Sequence, residues 1–125
     1  MKLCLKELNN IETSLKGIVK TPMYDIEKIK GNTNKAPKWL HFGAGNIFRA
    51  YIGKMAQNLL NKGLEDTGII VAESFDEEII DKVYTPYDNL TMLVTLFKNG
   101  EFENEIIGSI VDSVKISSEK AKLMD

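Results

Sequence analysis

Apolar residues Leu3, Leu5, Leu8, Ile11, Leu15 and Ile18 recur among charges at roughly helical spacing, which predicts an amphipathic helix ending near Gly17 and lying outside a sheet. Pro22 and the Tyr24-Asp25 pair open a short turn or helix through Ile29. Gly31-Asn32-Thr33-Asn34-Lys35-Ala36-Pro37 is rich in turn formers and predicts a linker, with Pro37 holding the residue before it extended. Lys38 to Phe42 is an apolar run rather than an alternation, the pattern of a strand covered on both faces. From Asn46 to Lys62 the helical period returns. Phe48, Ile52, Met55, Ala56, Leu59 and Leu60 share one face as a core stripe; Arg49, Lys54, Gln57, Asn58 and Asn61 take the other. Gly63 stands where a left-handed cap ends such a helix.

The second half reads as strands with one helix between them. Gly68-Ile69-Ile70-Val71-Ala72-Glu73 is short, β-branched and closed by an acid. Asp76 to Tyr84 predicts a helix with Asp76 as its cap and Glu77 and Glu78 in its first turn. Thr85-Pro86-Tyr87-Asp88-Asn89 makes a turn. Leu90 to Phe97 and Phe102 to Val111 flank Asn99-Gly100, the strongest short hairpin signal, with Gly108 a bulge or a close approach within the return strand. Val114 to Ile116 predicts the next parallel strand, and Ser117-Ser118-Glu119 opens another helix. The fold class is therefore α/β: a partial doubly wound, mainly parallel sheet with an inserted β-hairpin. Residues 1–37 form an N-terminal helical arm and linker, and residues 38–125 the first half of a dinucleotide-binding domain.

Composition narrows the function. With 125 residues, 43% hydrophobic and 27% charged, the chain can bury a core as one domain. A formal net charge of -2 and the lack of a basic stripe argue against a nucleic-acid surface. No apolar run approaches a membrane span, and charges break the start of the chain too soon for a signal peptide, so a cytoplasmic protein is expected. Cys4 and His41 are the sole residues of their kinds, which leaves no set of metal ligands; His41 is expected as a strand residue near the following loop.

The candidate chemistry lies between the run at 38–42 and the helix at 46–62. Gly43 and Gly45 stand one residue apart there, and strand, glycine turn, helix is the order a phosphate-cradling loop requires. The first amides of a helix lack partners within it, and the aligned peptide dipoles add positive charge at that end. Gly43 supplies a tight turn and Gly45 lets an anionic diphosphate approach the backbone. An acid ending the second strand of such a unit takes the ribose hydroxyls and repels the 2'-phosphate of NADP, which makes Glu73 the reader of NAD. Glu73 is farther from the glycines than the usual ~20 residues because the helix and the 61–67 connection are long. Asp76 competes for that role but is better placed to cap its helix.

The string Gly43-Ala44-Gly45-Asn46-Ile47, Arg49, Ile52-Gly53 resembles the N-terminal signature G-x-G-x-[FI]-x-R of the polyol-specific long-chain dehydrogenases, the mannitol dehydrogenase family, which includes the hexuronate reductases acting on fructuronate and tagaturonate. Thr21-Pro22-Met23-Tyr24-Asp25 and Ile106-Ile107-Gly108-Ser109-Ile110 look like the same family, so the resemblance spans roughly residues 20 to 116. The third glycine of the dinucleotide fingerprint is Phe48 here, a slot the family leaves variable. The resemblance implies NAD held by Gly43, Ala44, Gly45, Asn46, Ile47, Phe48, Arg49 and Glu73, and hydride exchange with an open-chain polyol or hexuronate. Arg49 lies near the cofactor phosphates or the domain seam on that view; as a sequence position alone it is equally a solvated helix charge.

Members of the family are several times longer and carry the catalytic lysine in a helical C-terminal domain, so the chain is expected to be an inactive fragment with no catalytic residue of its own. Two other readings stand beside this one. The first is a protein like mannitol-1-phosphate 5-dehydrogenase. The second is a non-catalytic Rossmann-type module that binds nucleotides or partners, including another copy through an exposed sheet edge.

Overall fold

The protein is described by a computed structural model covering residues 2–117. Ile116 and Ser117 are helical, and the rest of the helix expected from Ser117-Ser118-Glu119 onward lies beyond the described residues. One parallel sheet holds β2 (Leu40–Phe42), β3 (Ile69–Glu73) and β6 (Ile110–Lys115) in that spatial order. A second holds β1 (Val19–Lys20), β5 (Phe102–Ile107) and β4 (Thr91–Leu96), with β1 parallel to β5 and β4 antiparallel to it. The α/β class with parallel strands and an added hairpin is as expected. The two-residue β1 was invisible in the sequence, because so short a strand carries no periodicity.

The centre of the first sheet is β3, where Ile69, Val71 and Ala72 are fully buried, as is Val114 on β6. The edge strand β2 differs from expectation. Leu40 is 42% exposed and Phe42 64% exposed, so the run at 38–42 is covered on one face only. The strand expected at Val114–Ile116 is instead the longer β6, and it takes over residues read as the end of the hairpin. The break falls at Gly108, where a Cβ would lie 2.8 Å from the Cδ1 of Ile26 and 3.2 Å from the Cγ of Pro22. A side chain there would have to displace Ile26. The chain leaves one sheet and enters the other across Gly108 and Ser109.

Two helices also depart from the pattern. Gly31 to Lys35, read as a linker, is the second half of α2 (Ile26–Lys35). Asp25 caps its start through Lys28 N (3.3 Å), and the buried Thr33 donates to Ile29 O (2.7 Å) while accepting from Gly68 N (2.8 Å). These bonds outweigh the weak helix propensity of Gly-Asn-Thr-Asn. Downstream of the glycines the backbone is helical from 46 onward, passes through a π-helical turn at Phe48–Ile52 and continues as α3 (Gly53–Asn61). The wide turn makes the buried face step from Phe48 to Gly53 and then to Ala56, Gln57 and Leu60. Met55 and Leu59, expected in the core, are 51% and 36% exposed, whereas Gln57, expected outside, is fully buried. Gly63 caps the helix at φ +70, with Leu64 N donating to Leu59 O (2.9 Å).

The N-terminal segment is a short 3-10 turn followed by α1 (Leu8–Ser14), whose buried Ile11 packs with Ile26, Leu90 and Ile106. The hairpin turns at Asn99-Gly100 as predicted, with Gly100 at φ +87 and Phe97 N donating to Glu101 O (2.8 Å).

Candidate functional site

The glycine turn is built on the pairing of β2 with β3. Phe42 stands opposite Ala72, and Gly43 N donates to Ala72 O (2.7 Å), carrying the ladder one residue past the strand. Gly43 then turns at φ +107, a backbone region that side chains disfavour. The first intrahelical bond is Arg49 N to Gly45 O (3.2 Å), so the amides of Asn46, Ile47 and Phe48 lie ahead of it. A Cβ at Gly43 or Gly45 would meet nothing within 4 Å. The approach to the turn is open.

Glu73 ends β3 beside that turn and is bound to it. Its Oε1 accepts from Ala44 N (2.9 Å), and its Oε2 accepts from Ser74 N and Phe75 N, each at 3.1 Å. A carboxylate has about four acceptor positions, and backbone amides take most of those of Glu73. The Ala44 amide is spent on Glu73, and any anion over the turn is left with the amides that follow. The bond from Ala44 holds the Glu73 carboxyl below the usual carboxylate range, against burial, with the Phe75, Ser74 and Asp76 amides adding to the effect. A carboxyl lowered in the folded state contributes stability above its unfolded pKa and loses it as pH falls through the folded value. Glu73→Gln should therefore flatten the acid limb of the stability curve below about pH 4. Urea midpoints at successive pH values check this: an unchanged limb would mean the amides do not stabilise the charge.

Ala44 itself is fully buried, and its carbonyl accepts from the Tyr84 hydroxyl (2.9 Å). The sequence gives no sign of this contact, since Tyr84 lies in a second π-helical turn, Ile80–Tyr84, forty residues away. Arg49 donates from Nη1 to Thr91 Oγ1 (3.0 Å) and from Nη2 to Asn46 Oδ1, with its guanidinium carbon 5.9 Å from the centre of the Tyr84 ring. It thus ties the helix to the start of β4 and is half-buried rather than a free surface charge. Phe48 turns inward, 5% exposed and stacked on the His41 ring at 4.4 Å, so only its backbone faces the turn. Ile47 is 78% exposed. Asp76 accepts through its carbonyl from Ile79 N (3.2 Å) at the start of the following helical turn. Phe75, which sequence reasoning passed over, is completely exposed two residues beyond Glu73.

A second polar cluster lies under α3, away from the turn. Gln57 Oε1 accepts from the Tyr24 hydroxyl and from Gly108 N (3.0 Å), and its Nε2 donates to Ile106 O (2.6 Å) and to Glu105 Oε2 (3.4 Å). Lys54 pairs with Glu105 Oε1. A cleft of about 660 Å³ opens beside this cluster between α1, β1 and α3, with Lys54 and Glu105 in its wall. Among the described residues no group of three or more His, Cys, Asp or Glu side chains could hold a metal, and no helix is long and apolar enough to cross a membrane.

No protein-family model matches the chain. It is 52% identical over 97 residues to the D-mannonate oxidoreductase of Thermotoga maritima, a match covering 78% of this chain and 18% of that protein. Among solved structures it superposes on Pseudomonas fluorescens mannitol 2-dehydrogenase, in ternary complex with NAD and D-mannitol, with a TM-score of 0.79 and 28% identity. That match covers all of this chain and 24% of the other. A substrate-free D-sorbitol dehydrogenase shares the fold with a TM-score of 0.79 at 23% identity, over 99% of this chain and 24% of the other. The chain thus spans about a fifth of the length of the curated relative it matches.

Proposed function

We propose that this chain, which belongs to the mannitol dehydrogenase family of polyol-specific long-chain dehydrogenases, binds NAD at the Gly43–Ile47 turn and serves an oxidoreductase acting on an open-chain polyol or sugar acid. The observation that carries the reading is the bond from Ala44 N to Glu73 Oε1. It joins the glycine turn and the strand-ending acid at the carboxyl ends of parallel strands, where open α/β sheets take their ligands. The residues fit the cofactor. Gly43 and Gly45 leave the approach unobstructed, the amides of Asn46 to Phe48 offer donors to a diphosphate, and the Glu73 carboxylate beside the turn is the acceptor for a ribose hydroxyl. Phe75, bare and adjacent, offers an apolar face to the base attached to that ribose.

NAD supplies the hydride acceptor. The part of these residues is to bind and orient it: Gly43 to Phe48 fix the diphosphate, Glu73 fixes the adenosine ribose, and Arg49 locks the first helical turn to the hairpin. No residue of this turn is assigned the substrate-proton step, and the chain alone is expected to be inactive. The identity with a D-mannonate oxidoreductase favours a hexuronate pair over mannitol or its 1-phosphate.

The test is calorimetric titration with NAD and NADP of the chain and of its Glu73→Lys variant. Wild type should take NAD in preference to NADP. In the variant the ratio of the two affinities should move at least tenfold toward NADP, because repulsion of the 2'-phosphate becomes attraction. The ratio is the informative quantity, since loss of the Ala44 anchor weakens both. A wild type that binds neither coenzyme at millimolar concentration would reject the reading and favour a module with another ligand.

A further inference from the structure

We propose that Tyr84, with the Arg49 guanidinium over its ring, is a positioning residue for the diphosphate site: it fixes the Ala44–Gly45 peptide unit, as Glu73 fixes the unit before it, so that the amides of Asn46, Ile47 and Phe48 are aimed before any ligand arrives. The inference rests on the dinucleotide reading and extends it to residues that the glycine motif does not contain.

The two peptide units that meet at Ala44 are each held by one bond. The N–H of the Gly43–Ala44 unit is held by Glu73 at 2.9 Å and the C=O of the Ala44–Gly45 unit by Tyr84 at 2.9 Å, and Ala44 is fully buried. One bond on each unit restrains its rotation, and the helix start follows directly from the second. The Tyr84 ring is 1% exposed, so the hydroxyl has no room to choose another acceptor. Burial, opposed by Arg49 and reinforced by Glu73, also pushes the phenol above its ordinary range, which keeps it a donor at every working pH. Arg49 completes the brace. It lies over the Tyr84 ring while bonded to Thr91 and Asn46, and its buried Nε has no partner of its own. A guanidinium held this way supports the ring beneath it and pins Asn46, a residue of the turn itself.

Donors fixed in advance lower the ordering cost of binding the group they face, and only that group. The loss of the Tyr84 hydroxyl should therefore discriminate between ligands that carry a diphosphate and ligands that do not. Tyr84→Phe is titrated with ADP and with adenosine, following the backbone amides by NMR. The expected result is a rise of about tenfold in the Kd for ADP and less than twofold in that for adenosine, with the melting temperature recorded alongside. Equal losses for both ligands would reduce Tyr84 to a core residue, and no loss for ADP would remove it from the site; either overturns the proposal. A measurement on the wild type guards against poor folding of the variant. Hydrogen exchange at Ala44 should be equally slow with and without ADP, and protection gained only on binding would overturn the idea of a turn set in advance. If Gly45→Val abolishes ADP binding while Tyr84→Phe does not change it, the positioning role fails and the dinucleotide reading stands. A wild type blind to ADP ends both.

Discussion

Gly45→Val should abolish NAD binding, raising the Kd at least a hundredfold, while leaving the fold intact. The two halves of this expectation have separate causes. A Cβ at Gly45 meets nothing within 4 Å and the residue is not in the left-handed region, so the protein itself accommodates a side chain. The cost of valine at a helix cap is about 1 kcal/mol. On the proposed reading, the isopropyl group fills the space through which a diphosphate reaches the amides, and a ligand displaced by about 1 Å or more forfeits those charge-assisted bonds. Calorimetry with NAD reads the loss, and circular dichroism with a thermal melt shows that the fold has survived. Undiminished NAD affinity in a folded Gly45→Val protein would mean that the cofactor does not cross this turn.

Lys54→Met should be among the most damaging single substitutions for stability, at about 3 kcal/mol. Glu105 lies on the central strand of its sheet with its side chain only 5% exposed, and Lys54 is the cation paired with it. Without that partner the carboxylate keeps one long contact, 3.4 Å from Gln57 Nε2. An uncompensated buried charge costs several kcal/mol, whereas removing both charges together is often close to neutral. The double variant Lys54→Met, Glu105→Met should therefore recover most of the loss. Urea unfolding of the three proteins measures the effect. A loss below about 1 kcal/mol in the single variant would show that water from the adjoining cleft solvates Glu105 as it would a surface ion.

The parts of this protein written in short-range pattern were legible. Gly43 and Gly45 between an apolar run and a helix, the acid at the end of Ile69–Glu73, Gly63 as a cap and Asn99-Gly100 as a hairpin all depend on residues within a few positions of one another. What escaped depends on distance or on a broken period. Tyr84 reaches Ala44 across forty residues by one hydroxyl, which no spacing rule encodes. The π-helical turn after the glycines shifts the buried face by a residue, so a reading at 3.6 residues per turn put Met55 in the core and Gln57 in water. Gly31 to Lys35 looked like a linker because its propensities are poor, yet tertiary bonds from Thr33 hold it helical. Arg49 was ambiguous in the motif; the ring and hydroxyl that it contacts lie on segments the motif does not mention.

Gly108 and Ser109 are the whole span between the hairpin strand β5 and the strand β6 that flanks β3. So short a joint keeps the base of the hairpin against the layer that bears Glu73. The path from it runs along the backbone to Ile110 and sideways through the ladder, where Lys115 stands opposite Glu73. On the proposed reading, a partner bound to the hairpin would neighbour the cofactor site without touching the glycine turn.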